Sequence, residues 1–379
     1  MDLDTLRREI GDIDEQLVTL FCRRMEVAGE IAAYKQANGL PVPDAARERA
    51  VLAKVAQQAG EPFGRYARVL YGTLFDVSRA YQHTKIETHA PLEEAIAGAL
   101  AGTPVVFPEQ GVVACQGVEG AYGQQACEKL FALPEIVYCR SFEAVFQAVE
   151  SGLCQFGVMP IENSSFGSVG AVYDLMLKHR FHIVRSTKLA IDHKLLGRSG
   201  ASLSGIREIF SHEQAIGQCS AFLAAHPEIK VTACENTAIA AQKVAESGRD
   251  DVAAIASVNC AALYGLSVLA EDIQNNANNQ TRFICIARDL AVYPGADRIS
   301  LMLATPHRPG ELYRVIARFA ALGLNITKLE SRPVPGSDFS FLFYLDIEAS
   351  VQVPEVSALL GELSQGDALF TFLGAYREV

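Results

Sequence analysis

Apolar residues recur every three or four positions at the start of the chain: Leu3, Leu6, Ile10, Ile13, Leu17, Leu20, Val27, Ile31 and Tyr34. That period predicts one long helix, stopped by Gly39 and Pro41-Val42-Pro43. Asp44 is placed to cap a second helix over 45–58, and Tyr66, Val69, Leu70, Leu74 and Val77 predict a third over 62–83. A first helix of about 35 residues runs ~50 Å. Two shorter helices cannot cover such a length, so its stripe is expected to meet another chain in an interlocked helical dimer.

The pattern then changes twice. Residues 86–111 read as a linker, with a short Ala-rich helix over 92–100 followed by Thr103-Pro104 and Phe107-Pro108. From 112 to 289, short apolar strands alternate with amphipathic helices. Strands are expected at 113–115, 135–139, 156–160, 182–188, 208–211, 231–234, 252–256 and 283–287. This is an α/β pattern, long enough for two lobes and a cleft. The last block, 297–379, predicts strand 299–304, helix 310–322, strands 325–334 and 339–349, helix 354–363 and strand 369–376, the split βαββαβ order. The expected organisation is a helical domain (1–85), a linker (86–111), an α/β domain (112–289) and an α+β domain (297–379).

Composition narrows the partners. The net charge of −11 argues against nucleic acid and against an anionic membrane surface. No run approaches the roughly 18 apolar residues of a membrane helix. The first fifteen residues are charged and periodic, unlike a signal peptide. Nine cysteines without C-x-x-C or finger spacing read as buried free thiols in a reducing, cytoplasmic setting.

Two strand ends carry candidate chemistry. Thr281-Arg282-Phe283 follows the polar run 275–280, and Pro160-Ile161-Glu162-Asn163-Ser164-Ser165 follows the apolar stretch 156–159. A hydroxyl can donate a proton and a guanidinium can grip a carboxylate in two places, which suits an anionic substrate that loses an oxygen. A hairpin tip with solvated polar residues is the bland alternative. In the helical block Arg24 stands where an apolar residue is due, and a seam charge is costly unless paired. Lys35 follows eleven residues later on nearly the same face, ~16 Å along the axis. The two could lean toward one small dianion, or instead make an intersubunit salt bridge and a solvated lysine. Arg7 lies ~42 Å from Lys35 along the helix, so any substrate it binds sits in a partner subunit's pocket.

These residues carry resemblances. Arg7, Arg24, Lys35, Asp44, Arg47, Glu48, Ser78 and Gln82 match in order and spacing the site of the all-helical chorismate mutases. The resemblance implies arginines on the two carboxylates and Lys35 and Gln82 on the ether oxygen. Pro43 departs from it, where relatives often carry a basic residue. Gly117-x-x-Gly120-x-Tyr122, the 160–167 segment, Ser211-His212-x-Gln214-x-x-x-Gln218 and Thr281-Arg282-Phe283 resemble the four signatures of prephenate dehydratases. That implies a two-lobed fold like periplasmic binding proteins, Thr281 as acid or proton relay, Arg282 as carboxylate anchor or structural residue, and Glu162, Asn163, Ser211 and Gln218 as the polar wall. His212 invites either a general-base role or a helix-capping or core role. Gly123 stands where the family usually has a hydroxyl residue and is left out of the site.

Gly310-Glu311-Leu312-Tyr313 and Glu330-Ser331-Arg332-Pro333 resemble the amino-acid-binding signatures of ACT regulatory domains, with Gly310, Leu312, Glu330 and Ser331 expected around phenylalanine. Glu311 replaces a usual alanine. Together the resemblances imply a homodimer or homotetramer that turns chorismate into prephenate and prephenate into phenylpyruvate under phenylalanine inhibition. No cofactor or metal is implied. One alternative is a dehydratase whose helical block is only a dimerisation arm. Another is a non-catalytic two-lobed binding module with an amino-acid sensor.

Overall fold

In the computed structural model, helix α1 (Leu3–Ala37) begins at Asp2, whose carboxylate accepts from the Thr5 amide at 2.8 Å. The structure describes residues 2–40, 44–83, 85, 90–333, 341–365 and 369–379, with the side chains of Ala45 and His83 excepted. The Pro41-Val42-Pro43 stop, the first residues of the expected linker and the strand ends expected at 334 and 339–340 lie outside them.

The expected apolar stripe of α1 is exposed in this single chain: Leu3 is 60%, Ile10 59% and Leu17 54% accessible. Small residues explain where α1 does pack. Ala28 and Ala32 are its buried positions, and a Cβ on Gly29 would stand 3.3 Å from the Tyr81 ring. Helices α2 (Ala45–Ala59) and α3 (Gly64–His83) complete the block, and Asp44 caps α2 by accepting from the Arg47 amide at 2.9 Å. Helix α4 (Pro91–Gly102) follows, burying Ile96 and Ala99.

The next stretch builds two sheets. The first contains β1 (Gln110–Gln116), β2 (Leu133–Cys139), β3 (Phe156–Asn163), the short β4 (Gly167–Ser168), β5 (His182–Ala190) and, from far along the chain, β11 (Gln280–Ala287). Its order is β2-β1-β3-β11-β5, with β4 on β3. Strands β1, β2 and β3 run parallel, and β11 is antiparallel to both neighbours. Helices α5 (Tyr122–Leu130), α6 (Phe142–Glu150) and α7 (Gly170–Lys178) connect its strands. The second sheet has the order β10-β6-β9-β7-β8. Its strands are β6 (Lys194–Arg198), β7 (Glu208–His212), β8 (Lys230–Cys234), β9 (Val252–Ala256) and β10 (Leu266–Ala270). Helices α8 (Glu213–Gln218), α9 (Ser220–Ala224), α10 (Thr237–Glu246) and α11 (Val258–Tyr264) accompany it. Only two stretches, 191–193 and 271–279, carry the chain from one sheet to the other. The Ile191 amide donates to the Asn279 carbonyl at 2.8 Å, tying these crossings together.

Three points differ from the sequence reading. Strands β6 and β10 were not expected. Gly197 interrupts β6 because a Cβ there would lie 2.5 Å from Leu269 Cδ1, so the strand looks weak in isolation. Strand β11 starts at Gln280, not at Phe283, so Thr281 and Arg282 lie inside the ladder, paired with Leu189 and Lys188 on one side. Finally, seven of the cysteines are buried free thiols, but Cys22 lies exposed on α1.

The C-terminal block has β12 (Arg298–Ala304), α12 (Glu311–Ala321), β13 (Asn325–Pro333), β14 (Phe341–Glu348), α13 (Pro354–Ser364) and β15 (Phe370–Tyr376). The sheet order is β13-β14-β12-β15. The chain divides into two compact units, Met1–Ala101 with Asp297–Phe372, and Gly102–Ala296 with Leu373–Val379. In the first, α3 packs on α12 and α13 around a cavity of about 280 Å³ lined by Met25, Val77, Tyr81, Ala321 and Leu359. No helix of the described residues is long and apolar enough to cross a membrane.

Candidate active sites

In the helical block, α3 presents polar groups to α1. Arg24 is half-buried, and burial pulls its guanidinium below the ordinary arginine range. It donates to the Ser78 hydroxyl and, at 3.3 Å, to the Leu74 carbonyl, and it lies over the Phe75 ring. The buried Gln82 donates to the Ala28 carbonyl at 3.1 Å. Arg24, Ser78 and Gln82 therefore share the α1–α3 face, with Lys35 half-buried further along α1. Glu48 is held by Arg79, which also grips Asp76. Burial pushes the Asp76 carboxyl up, against the pull of Arg79, Arg318 and Arg314. Arg47 is exposed. Arg7 is exposed near the start of α1, 3.5 Å from Asp4, and does not join this cluster within one chain.

In the α/β block the ladder sorts the candidates by face. Asn163 stands opposite Thr281, and Glu162 opposite Arg282, across β3 and β11. Successive side chains of a strand point to opposite faces, so Thr281 and Asn163 share one face, and Arg282 and Glu162 share the other. The structure thus does not bring Arg282 and Glu162 to the Thr281 hydroxyl. Across a sheet an opposed cation and anion support pairing.

On the Thr281 face, hydrogen bonds fix the polarity. The amides of Ser165 and Phe166 donate to Asn163 Oδ1 at 2.9 and 3.0 Å. An N–H can only donate, so the Asn163 amide nitrogen must face the other way. It donates to Thr281 Oγ1 and to Asn279 Oδ1, both at 2.8 Å. The hydroxyl oxygen of Thr281, 7% exposed, therefore accepts, and its own proton has no acceptor among the described residues.

A second cluster sits where the chain first crosses between sheets. Buried His193 places Nε2 at 2.8 Å from Gln218 Oε1. Its amide donates to Gln274 at 2.6 Å, and its ring meets Tyr122 edge-on. Burial pushes its pKa down, partly offset by the Gln218 contact, so the ring stays neutral at neutral pH. Sequence reasoning missed His193 because it precedes an unrecognised strand. Ser211 is fully buried and donates to the Ile255 carbonyl at 2.7 Å, leaving it able only to accept from a ligand. His212 caps α8, accepting from the Gln214 amide at 3.4 Å, which is the second of its two expected roles. Tyr122 donates to the Asp192 carbonyl at 2.8 Å. Gly120 has a φ of +89° and its carbonyl accepts from Ser257, binding the β1–α5 loop to the second sheet.

Comparison with known proteins decides the family. Residues 113–291 match the prephenate dehydratase family and residues 6–83 the type II chorismate mutase family. The bifunctional chorismate mutase/prephenate dehydratase of Escherichia coli K12 is 32% identical over 98% of this chain and 95% of its own length. The chain belongs to the bifunctional chorismate mutase/prephenate dehydratase family. It carries both enzyme domains, an isomerase and a carbon–oxygen lyase. Arogenate dehydratase/prephenate dehydratase 1 of Arabidopsis thaliana is 41% identical over 70% of this chain and 71% of that protein. Among solved structures, the prephenate dehydratase of Arthrobacter aurescens in complex with L-Phe is 29% identical with a TM-score of 0.64, covering 70% of this chain and 89% of that one.

The C-terminal block of this bifunctional enzyme holds a cavity of about 320 Å³ lined by Gly310, Leu312, Tyr313, Phe341 and Phe343, among others. Gly310 caps α12 at a φ of +88°, a conformation costly for any residue with a Cβ. Glu330 and Ser331 do not line this cavity, but Ser331 pairs with Phe343 across β13 and β14. Glu311 lines a neighbouring cavity with Arg79, Arg314 and Arg318, so its charge does not intrude on the Gly310 side.

Proposed function

We propose that the chain rearranges chorismate to prephenate at a site shared between two subunits, then converts prephenate to phenylpyruvate in the cleft of the α/β unit. Chorismate rearrangement needs no nucleophile or proton transfer. It needs the reactive conformer held and the charge growing on the ether oxygen stabilised. Arg24, with Ser78 behind it, and Arg47 bind carboxylate, Lys35 and Gln82 meet the ether oxygen, and Asp44 and Glu48 order the entrance of α2. Arg7 comes from the partner, because it is too far from Lys35 of its own chain. The exposed stripe of α1 supports a homodimer, with a homotetramer as the larger assembly.

If the site is shared, Arg7→Ala and Lys35→Ala chains are each inactive as mutases, but mixing them restores about a quarter of the parent activity. Half of randomly paired dimers are mixed, and each has one intact site. Chorismate disappearance in refolded mixtures measures this, and no recovery would refute sharing across the dimer.

Dehydration is driven by aromatisation. The ring carboxylate leaves as carbon dioxide, its bonding pair enters the ring, and the hydroxyl at the opposite end leaves as water after gaining a proton. The observation that carries the reading is the Thr281 hydroxyl, which accepts from Asn163 and so keeps its proton for the departing oxygen. Gln218, oriented by His193, and Ser211 form the facing wall, while Arg282 with Glu162 braces the strand that holds Thr281. Phenylpyruvate formation from chorismate, followed by ultraviolet absorbance with and without phenylalanine, tests the whole scheme.

The C-terminal block is read as a ferredoxin-like ACT domain that takes phenylalanine in the Gly310–Leu312 cavity, and the enzyme as cytoplasmic. A cavity of this size falls at the small end of ligand sites. Leu312→Ala is expected to raise the phenylalanine concentration for half-inhibition about tenfold, the equivalent of ~1.4 kcal/mol from lost apolar burial. Each variant's inhibition is scored against its own uninhibited rate, and an unchanged midpoint would place the effector elsewhere.

A further inference from the structure

Asn279 is 2% exposed, and its role is not explained by the fold. Its orientation follows from its neighbours. Both protons of the Asn163 amide are committed, one to Thr281 Oγ1 and one to Asn279 Oδ1. Since Asn163 can present only nitrogen there, Asn279 must present oxygen, which turns its own NH₂ group away. That buried nitrogen has no hydrogen-bond partner among the described residues. A buried donor without an acceptor is destabilising, and native structures retain few of them. Asn279 and Thr281 are two residues apart at the start of β11, and both are pinned by the same amide.

We propose that Asn279 is a second hydrogen-bond donor to the leaving hydroxyl oxygen of prephenate, acting beside Thr281 as the lobes close on substrate. This rests on the reading of Thr281 as the proton donor. The placement decides which substrate oxygen is served. The carboxylate and the hydroxyl of prephenate lie at opposite ends of the ring, whereas one amide group spans Asn279 and Thr281. Both donors therefore serve one end, where the carbon–oxygen bond breaks. As that bond lengthens its electron pair collects on oxygen, Thr281 supplies or relays the proton, and the Asn279 N–H bonds stabilise the charge until water departs. Such a donor works mainly as charge develops, so it acts on kcat more than on KM.

Full-length Asn279→Asp, Asn279→Leu and Thr281→Val chains are compared for kcat and KM on prephenate from mildly acidic to neutral pH, with chorismate turnover and thermal unfolding as controls for folding. An aspartate at 279 still accepts from Asn163 but, when ionised, has no proton to give. At neutral pH Asn279→Asp is expected to lower kcat about 10²-fold or more, with little change in KM. Its rate relative to the parent should rise as the pH falls and the new carboxyl regains a proton to donate. Asn279→Leu should lose kcat at every pH. The proposal is overturned if Asn279→Asp keeps the parent kcat, if its loss appears only in KM, or if the two Asn279 variants share one pH profile. If Thr281→Val keeps the parent dehydratase rate, the reading of Thr281 falls first and this proposal with it.

Discussion

Thr281→Val is expected to lower dehydratase kcat by about 10²–10³-fold, the range for removing one aligned donor from a developing oxyanion. Valine keeps the shape of threonine and removes only the hydroxyl. It also leaves one Asn163 proton without an acceptor, a loss of about 1 kcal/mol in stability, too small to unfold a domain. Thr281→Ser keeps the hydroxyl on the same backbone and should retain most of the rate. Chorismate turnover should be unchanged in both, because Thr281 belongs to the other compact unit. Absorbance of phenylpyruvate from supplied prephenate provides the measurement. A Thr281→Val rate within threefold of the parent would exclude the hydroxyl as acid or relay.

The second large effect is expected at Lys35. Its ordinary explanation is a cation in the last turn of α1, where the helix dipole makes it worth about 0.3–1 kcal/mol of stability. On that explanation Lys35→Ala would lower the unfolding temperature slightly and leave catalysis alone. As the donor to the ether oxygen, its loss should instead cost mutase kcat about 10²–10³-fold, while dehydration of supplied prephenate survives. Lys35→Arg should recover little, because a planar fork does not replace a compact ammonium in a fitted site. Chorismate turnover separates a working mutase from an inert dimerisation arm. An inert arm predicts no chorismate turnover even in the parent, whereas near-parent turnover by the alanine variant would take Lys35 out of the reaction.

Legibility in the sequence depended on how local each signal was. Helix α1 could be read to within a residue or two because its period repeats over ten turns. The βαββαβ order of the last block was equally plain, since two helices of eleven residues each divide its apolar strands. Strand β6 was hidden because its partners on β9 and β10 lie more than fifty residues away in the chain, and its Gly197 breaks the apolar run. Thr281 drew notice through its motif, yet its place inside β11 is set by Asn163 and Leu189, neither of which is near it in sequence. For the same reason the motif could not show that Arg282 and Glu162 lie on the opposite face from Thr281. His193 and Asn279 carried no recognisable motif. Their significance arises only when the two crossings between sheets are brought together, although the two-residue spacing of Asn279 and Thr281 at a strand start was a usable hint.

Helix α3 rests against α12 and α13, so one compact unit is assembled from two separate stretches, Met1–Ala101 and Asp297–Phe372, with most of the two-lobed unit lying between them in sequence. During translation the inserted unit, apart from its last seven residues, emerges before α12 and α13 exist. The flank of α3 bearing Val77 and Tyr81 stays wet until more than two hundred further residues have left the ribosome. The rearranging block therefore completes its packing only after most of the dehydrating unit has been made, even though its own sequence precedes that unit.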